Sequence, residues 1–261
     1  MNDMAIDFSI LWPALIAGCL VAISHVPLGQ QVLSRGIVFI DLAIAQVAAL
    51  GVIVANHFQL PIEGWGAQVA AAAAALAGAL LLTWTEKKRP EVQEALIGIL
   101  FVLASTAQIL LLANDPHGGD NLKDLLAGQI LWVSNSQLIR TAVITGVFAL
   151  VWFTARERIG RVGFYVLFAL VVTASVQLVG VYLVFTTLIV PAVATYRHAA
   201  KRQLLYGYAL ALGSYVVGLG VSVVTDMPSS PVIVWAMAVL GLLLHLTGKN
   251  GKVESARHAS G

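Results

Sequence analysis

Charged residues are scarce in this chain. Only 11% of its 261 residues are charged and 59% are hydrophobic, whereas a soluble domain carries about 25% charged residues. Long polar loops are also lacking between the apolar stretches, so there is no room for a separate soluble catalytic domain. The composition excludes an ordinary soluble domain. It predicts a multi-span protein of the lipid bilayer that is not itself an enzyme.

Cysteine clusters, histidine clusters and phosphate-binding loops are lacking as well. The single cysteine, Cys19, can form no internal disulfide, and the histidines are scattered singly. A phosphate-binding loop needs Gly, four residues and then Gly-Lys-Ser/Thr, but the nearest approach, 241–250, has another spacing and ends in Asn. We therefore expect no permanently bound cofactor and no ATP hydrolysis by this chain. The net charge of +2 does not indicate a nucleic-acid partner.

Apolar stretches bounded by charges, Pro or Gly are candidates for membrane-spanning helices. They lie at about 8–33, 37–56, 65–85, 92–113, 138–154, 162–195, 204–224 and 231–247. As one helix the run 162–195 would be about 51 Å long, while the hydrocarbon core is about 30 Å thick. We expect it to break near Gly180. The predicted fold class is an all-α, polytopic helical membrane bundle with eight to nine transmembrane helices and a broken or re-entrant pair near 162–195.

Basic residues indicate the topology, because short cytoplasmic loops collect Lys and Arg. All but Lys123 and Arg140 lie in five segments: Arg35; Lys87, Lys88 and Arg89; Arg156, Arg158 and Arg161; Arg197, Lys201 and Arg202; and Lys249, Lys252 and Arg257. If the run 162–195 crosses twice, all five fall on one side, which predicts an outside N terminus and a cytoplasmic C terminus. We expect a single transmembrane domain over 1–248 and a disordered cytoplasmic tail over 249–261.

Polar residues inside the apolar runs are candidates for a functional site, because an ionisable group at bilayer depth costs a few kcal/mol and usually faces a cavity or a partner. Asp41 is the clearest case; alternatively, it lies near the interface and pairs with Arg35 or water. The other intramembrane polar residues either line a path or form hydrogen bonds between helices. They are Ser24, His25, Gln46, Gln108 and Gln177.

Segment 120–137 is too short and too polar to cross the bilayer, but its apolar residues follow a roughly helical spacing. It is predicted to be either an interfacial or re-entrant helix or a plain amphipathic loop helix.

Several short sequence motifs, in a shared order, resemble those of the membrane permease subunits of ATP-binding-cassette importers for zinc and manganese. They lie at 27–29, 35, 39–41, 50–51, 95–101, 125–134, 175–184, 188–192 and 222–231. The departures described below indicate a diverged branch of that family. The resemblance implies an inner-membrane permease domain over 1–248 that works as a homodimer and forms the translocation path for a divalent metal ion, zinc, manganese or iron. It further implies two partners, a separate cytoplasmic ATPase and an extracytoplasmic metal-binding protein.

The sequence departs from the family's first motif, in which an Asp and a His lie four residues apart, about 40° around a helix. Here the fourth residue after Asp41 is Ala45, and Gln46 lies about 140° from Asp41. A neutral amide is a weaker ligand than imidazole for zinc. We therefore predict Asp41 and His25 as metal ligands, with Ser24, Gln46 and Gln177 also on the path; alternatively, the partner protein alone binds the metal.

A second departure is the short segment 155–161, where the family carries a longer one before the broken helix pair. The residues predicted to contact the ATPase are Arg156, Glu157, Arg158 and Arg161. Coupling is therefore either weak or shifted to 197–202.

Two other function classes remain open from the sequence. One is an ATPase-independent secondary transporter that uses Asp41 as a cation or proton site. The other is a membrane scaffold that transports nothing.

Overall fold

The computed structural model describes residues 8–58, 65–113, 115, 118–128, 130–155 and 158–247. Over these ranges the chain is helical and contains no strand. The helices are α1 (Phe8–Arg35), α2 (Ile40–His57), α3 (Trp65–Lys88), α4 (Gln93–Leu112), α5 (Gly118–Ala127), α6 (Asn135–Ala155), α7 (Arg161–Val179), α8 (Val181–Thr195), α9 (Ala200–Thr225) and α10 (Ser229–Thr247). Short 3-10 helices lie at Pro90–Val92 and Ile130–Trp132.

Eight of these described helices are long and apolar enough to cross a membrane, which confirms the predicted polytopic bundle. They are α1, α2, α3, α4, α6, α7, α9 and α10. The predicted tail, 249–261, lies outside the described residues, so its disorder stays a prediction.

The long apolar run breaks at the predicted place. Helix α7 ends at Val179, α8 begins at Val181, and Gly180 between them has a φ of 85°, which favours glycine. At 15 residues, α8 is about 22 Å long and shorter than the hydrocarbon core. It packs between α1, α9 and α10. A short helix that starts inside the apolar layer is thereby shielded by protein.

A second segment covers this break. Gly128, between α5 and the following 3-10 helix, has a φ of 66°, and its backbone lies directly against that of Val179 and Gly180. Ile130 is fully buried, while Trp132 is 76% exposed. The predicted short helix in 120–137 is present as α5 and packs on the broken pair, and its interfacial or re-entrant placement stays a prediction.

Exposed tryptophans lie near the ends of α1 and α3 and in the 3-10 helix Ile130–Trp132, where amphipathic rings meet membrane headgroups. They are Trp12, Trp84 and Trp132. Between these levels the outward faces of α4, α6 and α10 carry exposed aliphatic side chains, as expected for contact with lipid.

We predict that Gly128→Ala destabilises the protein by about 2 kcal/mol or more. A Cβ at this position would overlap the carbonyl group of Val179, and the positive φ adds strain. Thermal unfolding in detergent and the yield of monodisperse protein measure the effect.

The matched control is Gly119→Ala in α5, where a Cβ has no neighbour within 4 Å. It should leave stability unchanged or slightly raised, because Ala has the higher helix propensity. Equal behaviour of the two variants would contradict the close backbone contact at the break.

Candidate functional site

Asp41 lies in the first turn of α2 and is 1% exposed. Its Oδ1 atom has no hydrogen-bond partner among the described residues. Arg35, the pairing partner considered from the sequence, instead places its guanidinium over the ring of Phe164, 4.2 Å from the ring centroid. A buried carboxylate is tolerated at this position because the N-terminal end of a helix carries partial positive charge.

A second carboxylate, Glu94, faces the same helix end. Its Oε1 accepts a hydrogen bond from the backbone N–H of Phe39, at 3.2 Å, just before α2 begins. A carboxylate from the first turn of α4 therefore accepts a backbone hydrogen bond at the N-terminal end of α2. Sequence reasoning missed Glu94, because only the packing of α4 on α2 brings it to this position.

Ser24 and His25 lie fully buried in the middle of α1. The Nδ1 atom of His25 is 3.0 Å from the carbonyl oxygen of Val21 and 3.0 Å from the hydroxyl of Ser24. A proton on Nδ1 that is donated to Val21 leaves Nε2 with a free lone pair. Nε2 is buried and has no hydrogen-bond partner within the described ranges. This is the arrangement in which a histidine binds a metal ion or accepts a proton.

The helix around His25 is shaped by Pro27. A proline inside a helix leaves the carbonyl four residues earlier without its usual N–H partner, which here is the carbonyl of Ile23. The hydroxyl of Tyr208 on α9 donates a hydrogen bond to that oxygen, at 3.1 Å. The interruption beside His25 is thus stabilised by a neighbouring helix.

The two predicted metal ligands do not lie at the same level. About 15 Å of helix rise separates His25 from Arg35 at the end of α1, whereas Asp41 lies immediately beyond the turn that follows Arg35. The described residues contain no group of three or more His, Cys, Asp or Glu side chains that could hold a metal ion. The structure therefore gives two separate ligand groups and no joint cluster.

Gln46 is engaged in a contact between α2 and α4. The side-chain amide of Gln108 donates to the side-chain oxygen of Gln46, at 2.7 Å, and to its backbone oxygen, at 2.9 Å. Both residues are buried. Of the two interpretations considered for Gln46, a hydrogen bond between helices is the one that the geometry supplies. Gln177 is half-buried in the last turn of α7, just before the break.

The predicted ATPase contact is only partly described, because Arg156 and Glu157 lie outside the described residues. Arg158 and Arg161 are exposed. The Nε atom of Arg161 lies 3.4 Å from a carboxylate oxygen of Glu86 on α3. Arg161 therefore anchors the start of α7 to the bundle.

Residues 7–160 and 155–247 match the model of the ABC 3 transport family, which covers nearly the whole chain. The chain belongs to this family. Membership confirms the resemblance read from the ordered motifs, and the chain is a polytopic membrane member of the metal-ion permease group.

Curated ABC 3 relatives carry different metals in their names. The chain is 24% identical to a probable iron transport system membrane protein of Haemophilus influenzae, covering 84% of this chain and 83% of the relative. It is 24% identical to the high-affinity zinc uptake system membrane protein ZnuB of that species, covering 90% and 97%. It is 25% identical to the manganese transport system membrane protein MntC of Halalkalibacterium halodurans, covering 95% and 91%.

Solved structures support the same fold. The structure of PsaBC from Streptococcus pneumoniae in complex with Fab aligns with a TM-score of 0.77 and 21% identity, covering 97% of this chain and 96% of that one. An inward-facing putative metal-chelate type ABC transporter aligns with a TM-score of 0.66 and 17% identity, covering 89% and 84%.

We predict that Gln108→Leu lowers the free energy of unfolding by about 1 kcal/mol, because it removes a buried hydrogen bond between helices. The free energy of unfolding in mixed micelles measures the loss. Thr106→Val is the matched control, since Thr106 lies on the same helix and is exposed, and its hydroxyl bonds only to carbonyls of its own helix. A smaller loss for Gln108→Leu than for Thr106→Val would contradict a structural role for the amide pair.

Proposed function

We propose that this chain is the membrane-spanning permease subunit of an ATP-driven importer of a divalent metal ion, zinc, manganese or iron. Membership in the ABC 3 transport family carries the proposal, and the metals named for its relatives suggest the cargo. A separate cytoplasmic ATPase supplies the energy, and an extracytoplasmic metal-binding protein delivers the ion. Family membership favours this function over an ATPase-independent transporter and over a scaffold.

The proposed orientation places the basic loops on the cytoplasmic side of the inner membrane. The turn before α2, the α3–α4 turn, the α6–α7 link and the α8–α9 turn are then cytoplasmic, and so is the C terminus. The segment 118–132 and the α9–α10 turn face outward, where the metal-binding protein docks.

The proposed translocation path runs between two copies of the chain, along α8. This helix is buried on most sides, but one face carries exposed or half-exposed side chains at helical spacing: Tyr182, Phe185, Ile189, Val193 and Tyr196. A broken helix at membrane depth is tolerated where it is buried in protein or lines a cavity. A second copy seated on this face would shield the break and place the path at the dimer interface.

Asp41 and His25 are the proposed cargo ligands, one near the cytoplasmic end of α2 and one inside α1. Both are buried within one chain, so the ion reaches them from the path only when α8 moves aside. Each offers a buried atom without a partner in the described part of the chain, Oδ1 and Nε2 respectively. Because they lie at different levels, we assign them to successive positions of the ion and not to one site. Ser24, which contacts the His25 ring, and Gln177, which lies just before the break, are proposed as further path residues. Gln46 is assigned to the contact between α2 and α4.

We predict that Asp41→Asn lowers metal uptake at least about tenfold, because a carboxylate binds a divalent cation much more strongly than an amide does. Uptake of radiolabelled zinc or manganese by proteoliposomes that contain the complete complex measures the effect. His25→Leu should lower uptake similarly.

The matched control for the uptake assay is Glu91→Gln, since Glu91 is exposed in the α3–α4 turn, where Arg89 lies 4.0 Å away. It should transport like wild type. Unchanged uptake by Asp41→Asn, with the complex intact, would remove Asp41 from the path. Uptake that persists without the ATPase would overturn the ATP-driven importer itself.

We predict that Val193→Cys in a Cys19→Ser background forms a disulfide-linked dimer in the membrane, because Val193 lies on the exposed face of α8. Val143→Cys on α6 is the control, as Val143 is also exposed, at 60% against 44% for Val193. Non-reducing gels after mild oxidation separate the two. Efficient cross-linking of Val143→Cys alone would place the dimer contact elsewhere.

A further inference from the structure

The α6–α7 link is too short to offer the ATPase a large contact surface. Helix α6 ends at Ala155 and α7 begins at Arg161, so the residues between them cannot form a helix of several turns. Arg161 is itself tied to Glu86 on α3, at 3.4 Å. The segment for which the family resemblance implies ATPase contact is therefore short, and one of its arginines is paired within the bundle.

The α8–α9 turn, on the same side of the bundle, is held by several hydrogen bonds and a ring contact. The side-chain amide of Gln203 donates to the carbonyl oxygens of Tyr196, at 3.1 Å, and His198, at 2.8 Å. The His198 ring packs edge-on against Tyr206, with 4.9 Å between centroids. The backbone N–H groups of Arg202 and Gln203 both donate to the carbonyl of Ala199. Several backbone groups of the turn are thus held by contacts with the start of α9.

The surface of this turn combines aromatic and cationic groups. Tyr196 is 55% exposed, and Arg197 and Arg202 are exposed beside it. Neither arginine has an acidic side chain within ion-pair distance among the described residues. Between Glu157 and Asp226 the sequence contains no acid. Arginine and tyrosine are the residue types that dominate protein interfaces when a partner buries them.

The other exposed basic turn, between α3 and α4, differs in its charge balance. Glu86, Glu91 and Glu94 are interspersed with its basic residues, and Arg89 lies 4.0 Å from Glu91. Arg89 therefore has an acidic neighbour within its own turn, whereas Arg197 and Arg202 have none among the described residues. The α8–α9 turn keeps its charge available for an acidic partner surface.

The position of the turn connects it to the proposed path. Helix α8, with Pro191 inside it, connects this turn to the break at Gly180. A displacement of Tyr196 or Arg197 would therefore act through a single short helix on the backbone contact with Gly128. Helix α7 leads from the α6–α7 link to the same break, but Arg161 at its start is held by Glu86 of α3. Arg197 and Arg202, in contrast, have no acidic partner in the part of the chain that the structure describes.

We infer that the cytoplasmic ATPase docks on the α8–α9 turn, with an acidic groove that receives Arg197 and Arg202 beside Tyr196, and that the α6–α7 link is a secondary contact. This assignment rests on the proposed function, which supplies the ATPase and the orientation. It moves the coupling contact from the segment that the resemblance indicates to the end of the half-helix that lines the path.

The test is a charge reversal in the full complex of this chain with its cognate ATPase, in detergent and in nanodiscs. We expect Arg197→Glu combined with Arg202→Glu to weaken ATPase binding about tenfold or more, since like charges would then face each other. Lys87→Glu with Arg89→Glu in the α3–α4 turn is the control and should bind within about twofold of wild type. Size-exclusion elution and thermal stability of the isolated chain check that both variants fold.

A rescue experiment excludes a merely structural effect. Asp or Glu to Lys changes in the ATPase groove should restore binding of the reversed permease and weaken binding of the wild type. Cross-linking from Arg197→Cys in a Cys19→Ser background should reach the ATPase, while Arg89→Cys should not.

Three outcomes overturn the inference. The first is unchanged ATPase binding after the double reversal, and the second is loss of binding with Arg158→Glu alone. The third is a loss that appears only in nanodiscs with anionic lipid and not in detergent, which would assign the turn to lipid headgroups. Failure of the wild-type chain to bind any ATPase would instead refute the proposed function, so the two failures are distinguishable.

Discussion

The interruption of a helix inside an apolar layer is the constraint on which this architecture depends. Where α7 gives way to α8, backbone groups leave regular helical pairing, and lipid cannot satisfy them. A second glycine allows another segment to cover them: at Gly128 the backbone lies directly against that of Val179 and Gly180. This contact explains why a segment too polar to cross the membrane nevertheless buries Ile130 completely. It also explains why α8 is enclosed by α1, α9 and α10.

At three other places a backbone group without a regular helical hydrogen bond is likewise satisfied by a neighbouring group. The carbonyl that Pro27 releases on α1 is taken by Tyr208. The start of α2 takes the Glu94 carboxylate, and the end of α8 takes the Gln203 amide. In each case a polar side chain from another helix supplies the missing partner. Few polar residues are available in this chain, and three that are partly exposed serve such a place.

The sequence predicted the parts of the fold that depend on length and hydropathy. The run 162–195 exceeds the bilayer thickness, and the glycine near its middle, Gly180, marks the break that the structure contains. The partners of polar residues were not predictable, because they depend on helix packing over long sequence separations. Gln46 meets Gln108, and Arg35 lies on Phe164 instead of pairing with Asp41. Asp41 and His25 stood out by their polarity, but one sequence carries no measure of the distance between them.

The short helix α8 connects the break at Gly180 with the α8–α9 turn. At one end it meets the Gly180 break and at the other the turn held by Gln203. In between, Thr187 pairs with Tyr215 on α9 at 3.0 Å, which links α8 laterally to its neighbour. A helix held at both ends but exposed along one face can shift as a rigid body, since its internal hydrogen bonds are kept while the contacts at its ends change. Motion of this kind would alter the backbone contact at Gly128 and the face that meets a second copy at the same time. One displacement could then open the path and change its lining together.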